Sequence, residues 1–306
     1  LPTPIFVVGI QRSGTTWLAN ELASMKGVVG VTSGKFGTRE SHYFNAYVDR
    51  FGDITQPDNF ALFASVMLSS DFFSLVGLDK AFLELLYPSD YWTIFYKVMA
   101  RYADENQAQY WVEKTPNHTE LLDEICKAYP DALVVATRRN MADVFTSAIV
   151  QERLWYNRRR RLVRMITHSL RHTHYNRIIV RCESNHENIV IVDYEDMKTD
   201  LNQVMRTIQK QLQLDAEYDP HQKQQFTTNT SSRIADFKLP KSELILLRLI
   251  YGVASLIPSF FVARLYRIRQ KMRHRQSLPL QLFRLRYPHL AKYDPIVAEI
   301  IESEAD

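Results

Sequence analysis

Pro4-Ile5-Phe6-Val7-Val8-Gly9-Ile10-Gln11-Arg12-Ser13-Gly14-Thr15-Thr16-Trp17-Leu18-Ala19-Asn20-Glu21-Leu22 is the stretch on which the fold turns. The apolar run at residues 5–8 stops at Gly9, a short polar loop follows, and amphipathic helical spacing begins near Thr15. This is the layout of a buried strand feeding a helix N-terminus, and it invites an anion. The first N–H groups of a helix lack partners, the helix dipole adds partial positive charge, and Gly9 and Gly14 let the main chain come close.

Outward from this stretch, strands and helices alternate. Short apolar runs at 28–31, 111–112, 132–137 and 189–193 predict strands, and helical patterns follow at 120–129, 142–154, 158–183 and 201–212. Residues 58–107, rich in Phe, Leu and Tyr at helical spacing, predict further helices whose aromatics read as core. Continuous apolar strands alternating with helices predict an α/β fold, a central parallel sheet covered by helices on both faces. Near Leu239 the composition shifts, so the expected organisation is a domain over 1–239 and a helical, apolar then basic extension over 240–306.

The loop is one residue away from a nucleotide-triphosphate loop. Gly9 and Gly14 have the spacing of G-x-x-x-x-G-K-[ST], but Thr15 stands where the lysine belongs, and the cation sits inside the loop as Arg12. From there Arg12 can reach a terminal group on a 5′-phosphate, with Thr15 and Thr16 offering hydroxyls. A second motif, Arg139-Asn140-Met141-Ala142-Asp143-Val144-Phe145-Thr146-Ser147, puts an Arg at a strand end and a Ser two helical turns later, so both can converge on one phosphate. Arg138 is an alternative or additional contact there.

Together these stretches resemble the sulfotransferases that use 3′-phosphoadenosine 5′-phosphosulfate. The first is similar to their 5′-phosphosulfate loop and the second to their 3′-phosphate motif R-N-P-x-D-V-x-x-S, with Met141 in place of the proline. Thr38-Arg39-Glu40-Ser41-His42-Tyr43-Phe44 resembles the K-E-x-H-[FY]-F segment of the carbohydrate-type enzymes, with Arg39 replacing lysine. Glu113-Lys114-Thr115-Pro116 resembles their E-K-[ST]-P, and the segment from Val192 to Met197 their V-x-Y-E-D-L, read as structural. The resemblance runs over roughly 4–215. It implies a P-loop NTPase-like fold, a donor spent as adenosine 3′,5′-bisphosphate, Glu40 as general base and Lys114 against the transferring group. It also implies a nucleotide site of Arg12, Ser13, Gly14, Thr15, Thr16, Trp17, Arg139 and Ser147. The rings of Trp17 and Phe145 read as core.

Sulfuryl transfer needs in-line placement and cations or helix-terminal N–H groups for the charge on equatorial and leaving oxygens, with no metal cage. Arg12 and Lys114 are candidates for that work, and the acceptor hydroxyl needs a base, Glu40 first and His42 second. Lys114 could instead simply pair with Glu113 or Glu40. One rival reading is a P-loop kinase or NTPase, against which Thr15 speaks. The other is a membrane-associated nucleotide-binding protein without catalysis.

In 306 residues, 46% hydrophobic and 24% charged composition is that of a globular protein, and a net charge of +4 suits an anionic ligand without singling out nucleic acid. Two cysteines, Cys126 and Cys182, make neither a disulfide framework nor a metal site and favour a reducing compartment, so a cytoplasmic location is expected. Of two glycosylation sequons, at Asn117 and Asn229, the first abuts the expected site. The acceptor is read as a hydroxyl of a carbohydrate, lipid or small alcohol. Residues 244–265 are apolar apart from Arg248 and Arg264, are interrupted by Pro258, and lead into Arg267, Arg269, Lys271, Arg273 and Arg275. Peripheral membrane or lipid-substrate contact through 244–275 is the preferred reading, ahead of a buried helical subdomain or dimer surface, and then a spanning helix.

Overall fold

The computed structural model describes residues 1–34, 37–152, 158–219 and 238–274. The end of the helix expected at 142–154, the Asn229 sequon and Arg275 lie outside the described residues.

Five strands form one sheet: β1 (Thr3–Gly9), β2 (Val28–Gly30), β3 (Tyr110–Lys114), β4 (Leu133–Arg138) and β5 (Ile189–Asp193). Their order is β2-β3-β1-β4-β5 and every pairing is parallel, as the continuous apolar runs require. β1 is central and its residues Ile5 to Val8 are fully buried. Ile5 and Val7 enter one core layer with Leu18, Leu22, Val135 and Val190. Phe6 alternates to the other side, edge-on to Trp111 at 5.6 Å and stacked with Tyr129 at 5.8 Å. Register sets Val7 beside Lys114 and Gly9 beside Thr137, so the C-terminal ends of β3, β1 and β4 adjoin. The chain builds β3 on one side of β1 and then β4 on the other. The crevice outside the strand ends at such a reversal is where open α/β sheets take ligands.

The chain divides into two compact units. The first comprises Leu1–Glu40 and Ala100–Val262, the second Ser41–Met99 and Ala263–Asp306. Around the sheet, the first unit carries α1 (Thr15–Ser24) and, after four helices of the second, a 3₁₀ turn at Pro116–Leu121. The helix expected from about 120 is thus a tight turn opened by Pro116 and then an α-helix, Leu122–Ala128.

The second unit holds α2 (Tyr43–Ala46), α3 (Pro57–Leu68), α4 (Asp71–Leu75), α5 (Lys80–Leu85) and the start of α6 (Tyr91–Glu105), which makes Leu122–Ala128 α7. The core of this unit is aromatic. Tyr43 stacks on Phe95 at 4.5 Å and on Tyr47 at 5.2 Å, and Phe44 stacks on Trp92 at 4.7 Å. The Tyr43 hydroxyl donates to the Tyr91 carbonyl at 2.8 Å. Burial pushes the Tyr47 phenol up to about 12. These rings are core, as their spacing predicts.

In the first unit, β4 is followed by α8 (Met141–Glu152) and α9 (Arg158–Asn185), and β5 by α10 (Tyr194–Thr199) and α11 (Leu201–Gln211). Two further helices, α12 (Lys241–Leu256) and α13 (Ser259–His274), replace the single apolar run expected at 244–265. Pro258 breaks it, since proline offers no N–H and its ring clashes with the preceding turn. The units part at 40/41, 99/100 and 262/263. α12 stays with the sheet because Leu247 packs with Met141, Phe145, Ile149 and Met165 of α8 and α9. Among the described residues no single helix is long and apolar enough to cross a membrane. α12 and Ser259–Tyr266 pass that test only as a pair, bent by 99°.

Candidate active site

The loop between β1 and α1 is built of backbone that side chains would obstruct. Gly9 sits at φ 140°, where a Cβ would strike the Thr137 side chain and carbonyl, and Gly14 at φ 95°, where one would lie 2.6 Å from the Tyr194 ring. Gly14 is the N-cap of α1, so no side chain accepts from the first turn. Its N–H groups are the open donors on which the anion reading rests. Between the glycines, Arg12 is held at φ 76°, a strained conformation for a residue with a Cβ and one that clusters at functional sites.

Arg12 Nε donates to Ser147 Oγ at 2.9 Å, and one terminal nitrogen of Arg139 donates to the Arg12 carbonyl at 2.9 Å. Two motifs 127 residues apart in the chain are therefore one cluster. Arg139 also lies over the Tyr194 ring, 3.9 Å from its centroid. Burial, then the charge of Arg139, lowers the Arg12 pKa, opposed by Tyr194 and Glu40. Arg139 Nε is buried and has no hydrogen-bond partner. An orphaned guanidinium nitrogen in a cluster of two cations, beside uncapped helix N–H groups, fits a doubly phosphorylated or sulfated nucleotide. Arg138 is committed elsewhere, gripping Asp193 bidentately at 2.7 and 2.8 Å.

The remaining loop residues divide their roles. Ser13 uses its N–H on the Ile10 carbonyl and its hydroxyl on Ile10 and Thr137, and so shapes the loop from inside. Thr15 is buried and Thr16 half-buried at the first turn. Trp17 donates to Glu21 at 3.1 Å and meets Tyr194 edge-on at 6.0 Å, at the margin of the core as expected. Phe145 is fully buried.

At the end of β3 the two charges of the Glu-Lys-Thr-Pro motif point apart. Glu113 turns inward and accepts from Thr115 at 2.6 Å, with His118 Nδ1 at 2.8 Å, all of them buried. Lys114 meets Glu40 instead, Nζ to Oε1 3.0 Å, its side chain 4% exposed against 29% for Glu40. Of the pairings left open by the sequence, Glu40 is the one formed. His42 opens the second unit as the left-handed N-cap of α2, at φ 52°. The Asn117 sequon is closed, since His118 and Thr119 are buried and Thr119 accepts from the Gly9 N–H at 2.9 Å.

Several residues here escaped the sequence reading. Thr137 braces Ser13, and Tyr194 both carries Arg139 and flanks Gly14. A chain of hydrogen bonds runs from α12 to the Arg139 loop. Tyr251 Oη lies 3.1 Å from His172 Nδ1, and His172 Nε2 lies 2.8 Å from the Arg139 carbonyl. A carbonyl only accepts, so Nε2 carries the proton and Nδ1 is the acceptor, with the Tyr251 hydroxyl and the Asn176 amide both 3.1 Å from it. Burial lowers the His172 pKa and keeps the ring neutral. These groups line a cavity of about 370 Å³ together with Arg138, Asn140, Asn176 and Arg248. Only Tyr194 had an available signal, its place directly after an apolar strand.

The family model described as the sulfotransferase family matches residues 4–220. Among solved structures, the chain is similar to the sulfotransferase domain of the olefin synthase of Synechococcus PCC 7002. Identity is 15% over 82% of this chain and 94% of that one, with a TM-score of 0.51. It is also similar to a sulfotransferase from Alicyclobacillus acidocaldarius, at 16% identity over 83% and 92% of the two chains, with a TM-score of 0.50. At these identities the likeness is one of fold. No curated protein matches the chain.

Proposed function

We propose, because this chain belongs to the sulfotransferase family, that its sulfuryl donor is 3′-phosphoadenosine 5′-phosphosulfate and that Glu40 is the base for the acceptor hydroxyl. The single observation that carries the donor reading is the Arg12–Arg139 cluster, with its buried unpaired Nε beside the uncapped start of α1. Bound there, the donor supplies an activated sulfuryl group whose leaving group is a phosphate oxygen.

The open N–H groups of α1 and Arg12 hold the 5′ side of the nucleotide, and Arg139 with Ser147 holds its 3′-phosphate. Lys114 neutralises charge on the sulfuryl oxygens, which draws its ammonium from Glu40 and leaves that carboxylate to accept the acceptor's proton. The 3.0 Å ion pair between Lys114 and Glu40 at the end of β3 supports this division of roles. His42 is the second choice of base. The acceptor is a hydroxyl compound, and a lipid-linked alcohol is the finer reading, supported by the exposed apolar side of α12.

Calorimetric titration tests the donor site. Adenosine 3′,5′-bisphosphate should bind without metal and more tightly than ADP or ATP, and a preference for magnesium-ATP would overturn the reading. For the base, Glu40→Gln keeps a hydrogen-bond acceptor for Lys114 but not a basic carboxylate. Its turnover should fall about 10²- to 10⁴-fold with bisphosphate affinity retained; an unchanged rate removes Glu40 from the mechanism.

A further inference from the structure

α12 is apolar on two sides and only one of them is covered. Leu247 and Ala254 are buried and Tyr251 reaches His172, so the side at spacing i, i+4, i+7 faces α8 and α9. The other side exposes Ile245 (59%), Leu249 (63%), Val253 (63%) and Leu256 (81%), and the chain then exposes Phe260 and Phe261 at the start of α13. A helix apolar all round belongs in a core or against another apolar phase.

The helix is fixed so that this side stays outward. Arg161 of α9 grips Glu243 through two bonds of 2.6 and 3.1 Å at one end, and Arg177 of α9 donates to the Ser255 and Ile257 carbonyls at the other. The ends of α12 are thus tied to α9, and the exposed row cannot rotate inward without breaking both ties.

Charge decides what covers the row. Between 241 and 275 the sequence has one acid, Glu243, against the cations Lys241, Arg248, Arg264, Arg267, Arg269, Lys271, Arg273 and Arg275. That acid is already bound by Arg161, while Arg248 is exposed beside the apolar row, where it also lines the cavity. On α12 itself the exposed cations are Lys241 and Arg248, and with Glu243 bound by Arg161 a second copy of this face would bring no unbound α12 carboxylate to meet them. Length decides how the row meets a bilayer: 16 residues make a helix of about 24 Å, short of a hydrocarbon core of about 30 Å, and the chain bends at Pro258. We infer that the outward face of α12, continued by Phe260 and Phe261, docks in the plane of an anionic lipid surface, its hydrocarbon in the acyl boundary and its cations at the headgroups.

Flotation of the full chain with phosphatidylcholine vesicles, with and without about 30 mol% phosphatidylserine, tests this. Binding is expected to the anionic vesicles, weaker by about tenfold or more on neutral ones and reduced by salt. The double variant Leu249→Glu, Val253→Glu should lose that binding while its thermal melting stays that of the parent chain, since both positions are exposed. Three results overturn the inference. The parent chain fails to bind anionic vesicles, as when a second copy or residues 276–306 cover the face; the double variant binds as well as the parent, leaving the basic run alone responsible; or the parent sediments as a dimer that the same substitutions split. None of these bears on nucleotide binding, which calorimetry reads separately.

Discussion

β1 and β4 lie side by side, and each delivers the chain into a helix, yet the two helix starts are finished differently. At α8, Asn140 closes the end: its side chain accepts from the Ala142 N–H at 2.8 Å and its carbonyl from Val144 at 3.0 Å. At α1 the carbonyl of Gly14 accepts from Leu18 at 3.0 Å, but Gly14 has no side chain with which to accept from the first turn. An Asn cap is worth about 1 kcal/mol, so leaving it out at α1 costs stability that a bound anion would restore. α8 is capped by its own sequence, while the start of α1 has no side-chain cap.

If α8 is finished structurally, its weakness lies in what packs beneath it. His168 meets Phe145 edge-on at 6.2 Å, and burial, then the charges of Arg171 and Arg164 and neighbouring His172, push its pKa down to about 4 from 6.5. The unfolded chain therefore takes up this proton before the folded one. Full stability is present above pH 6.5, and about 3 kcal/mol is lost as the pH falls through the window to about 4. Urea midpoints across that range, compared with those of His168→Leu, check this: the variant should show the shallower pH slope, and equal slopes would clear His168 of the effect.

The next effect separates the two strand ends by ligand. Arg139→Ala should weaken binding of adenosine 3′,5′-bisphosphate by about ten- to a hundredfold, the range of one charge-assisted hydrogen-bonded contact. Binding of the 3′-dephospho analogue should change far less in the same calorimeter cell. Equal losses for both nucleotides would mean that Arg139 acts only by holding the Arg12 carbonyl. The smallest effect is the most direct check on the caps. Asn140→Ala should lower stability by about 1 kcal/mol in thermal melts and leave bisphosphate affinity within about twofold. A larger loss of affinity than of stability would make Asn140 part of the nucleotide site.

Much of this was readable before any folding. The strand, glycines and helix start of β1 and α1 stand where their pattern puts them, because a buried parallel strand needs an unbroken apolar run and glycine takes up positive φ without steric cost. Arg138 and Arg139 show the limit. Adjacent in sequence and equal in charge, they part because the register sets Arg138 opposite Asp193, which occupies it, while Arg139 turns to Arg12 and Tyr194. The Lys114 pairing was open for the same reason, as sequence distance says nothing of which carboxylate a strand end will face.

By itself the sequence determined the fold class, the glycine loop between β1 and α1 and the two basic motifs, since each rests on local rules of periodicity, backbone freedom and helix-end chemistry. Only the tertiary structure decided that the motifs meet through the Arg12 carbonyl and Ser147, that Glu113 turns inward while Lys114 reaches Glu40, and that Tyr251 of α12 braces the Arg139 loop through His172. Those choices depend on sheet order and register, which bring together side chains separated by tens to more than a hundred residues of chain, and no local pattern encodes that distance.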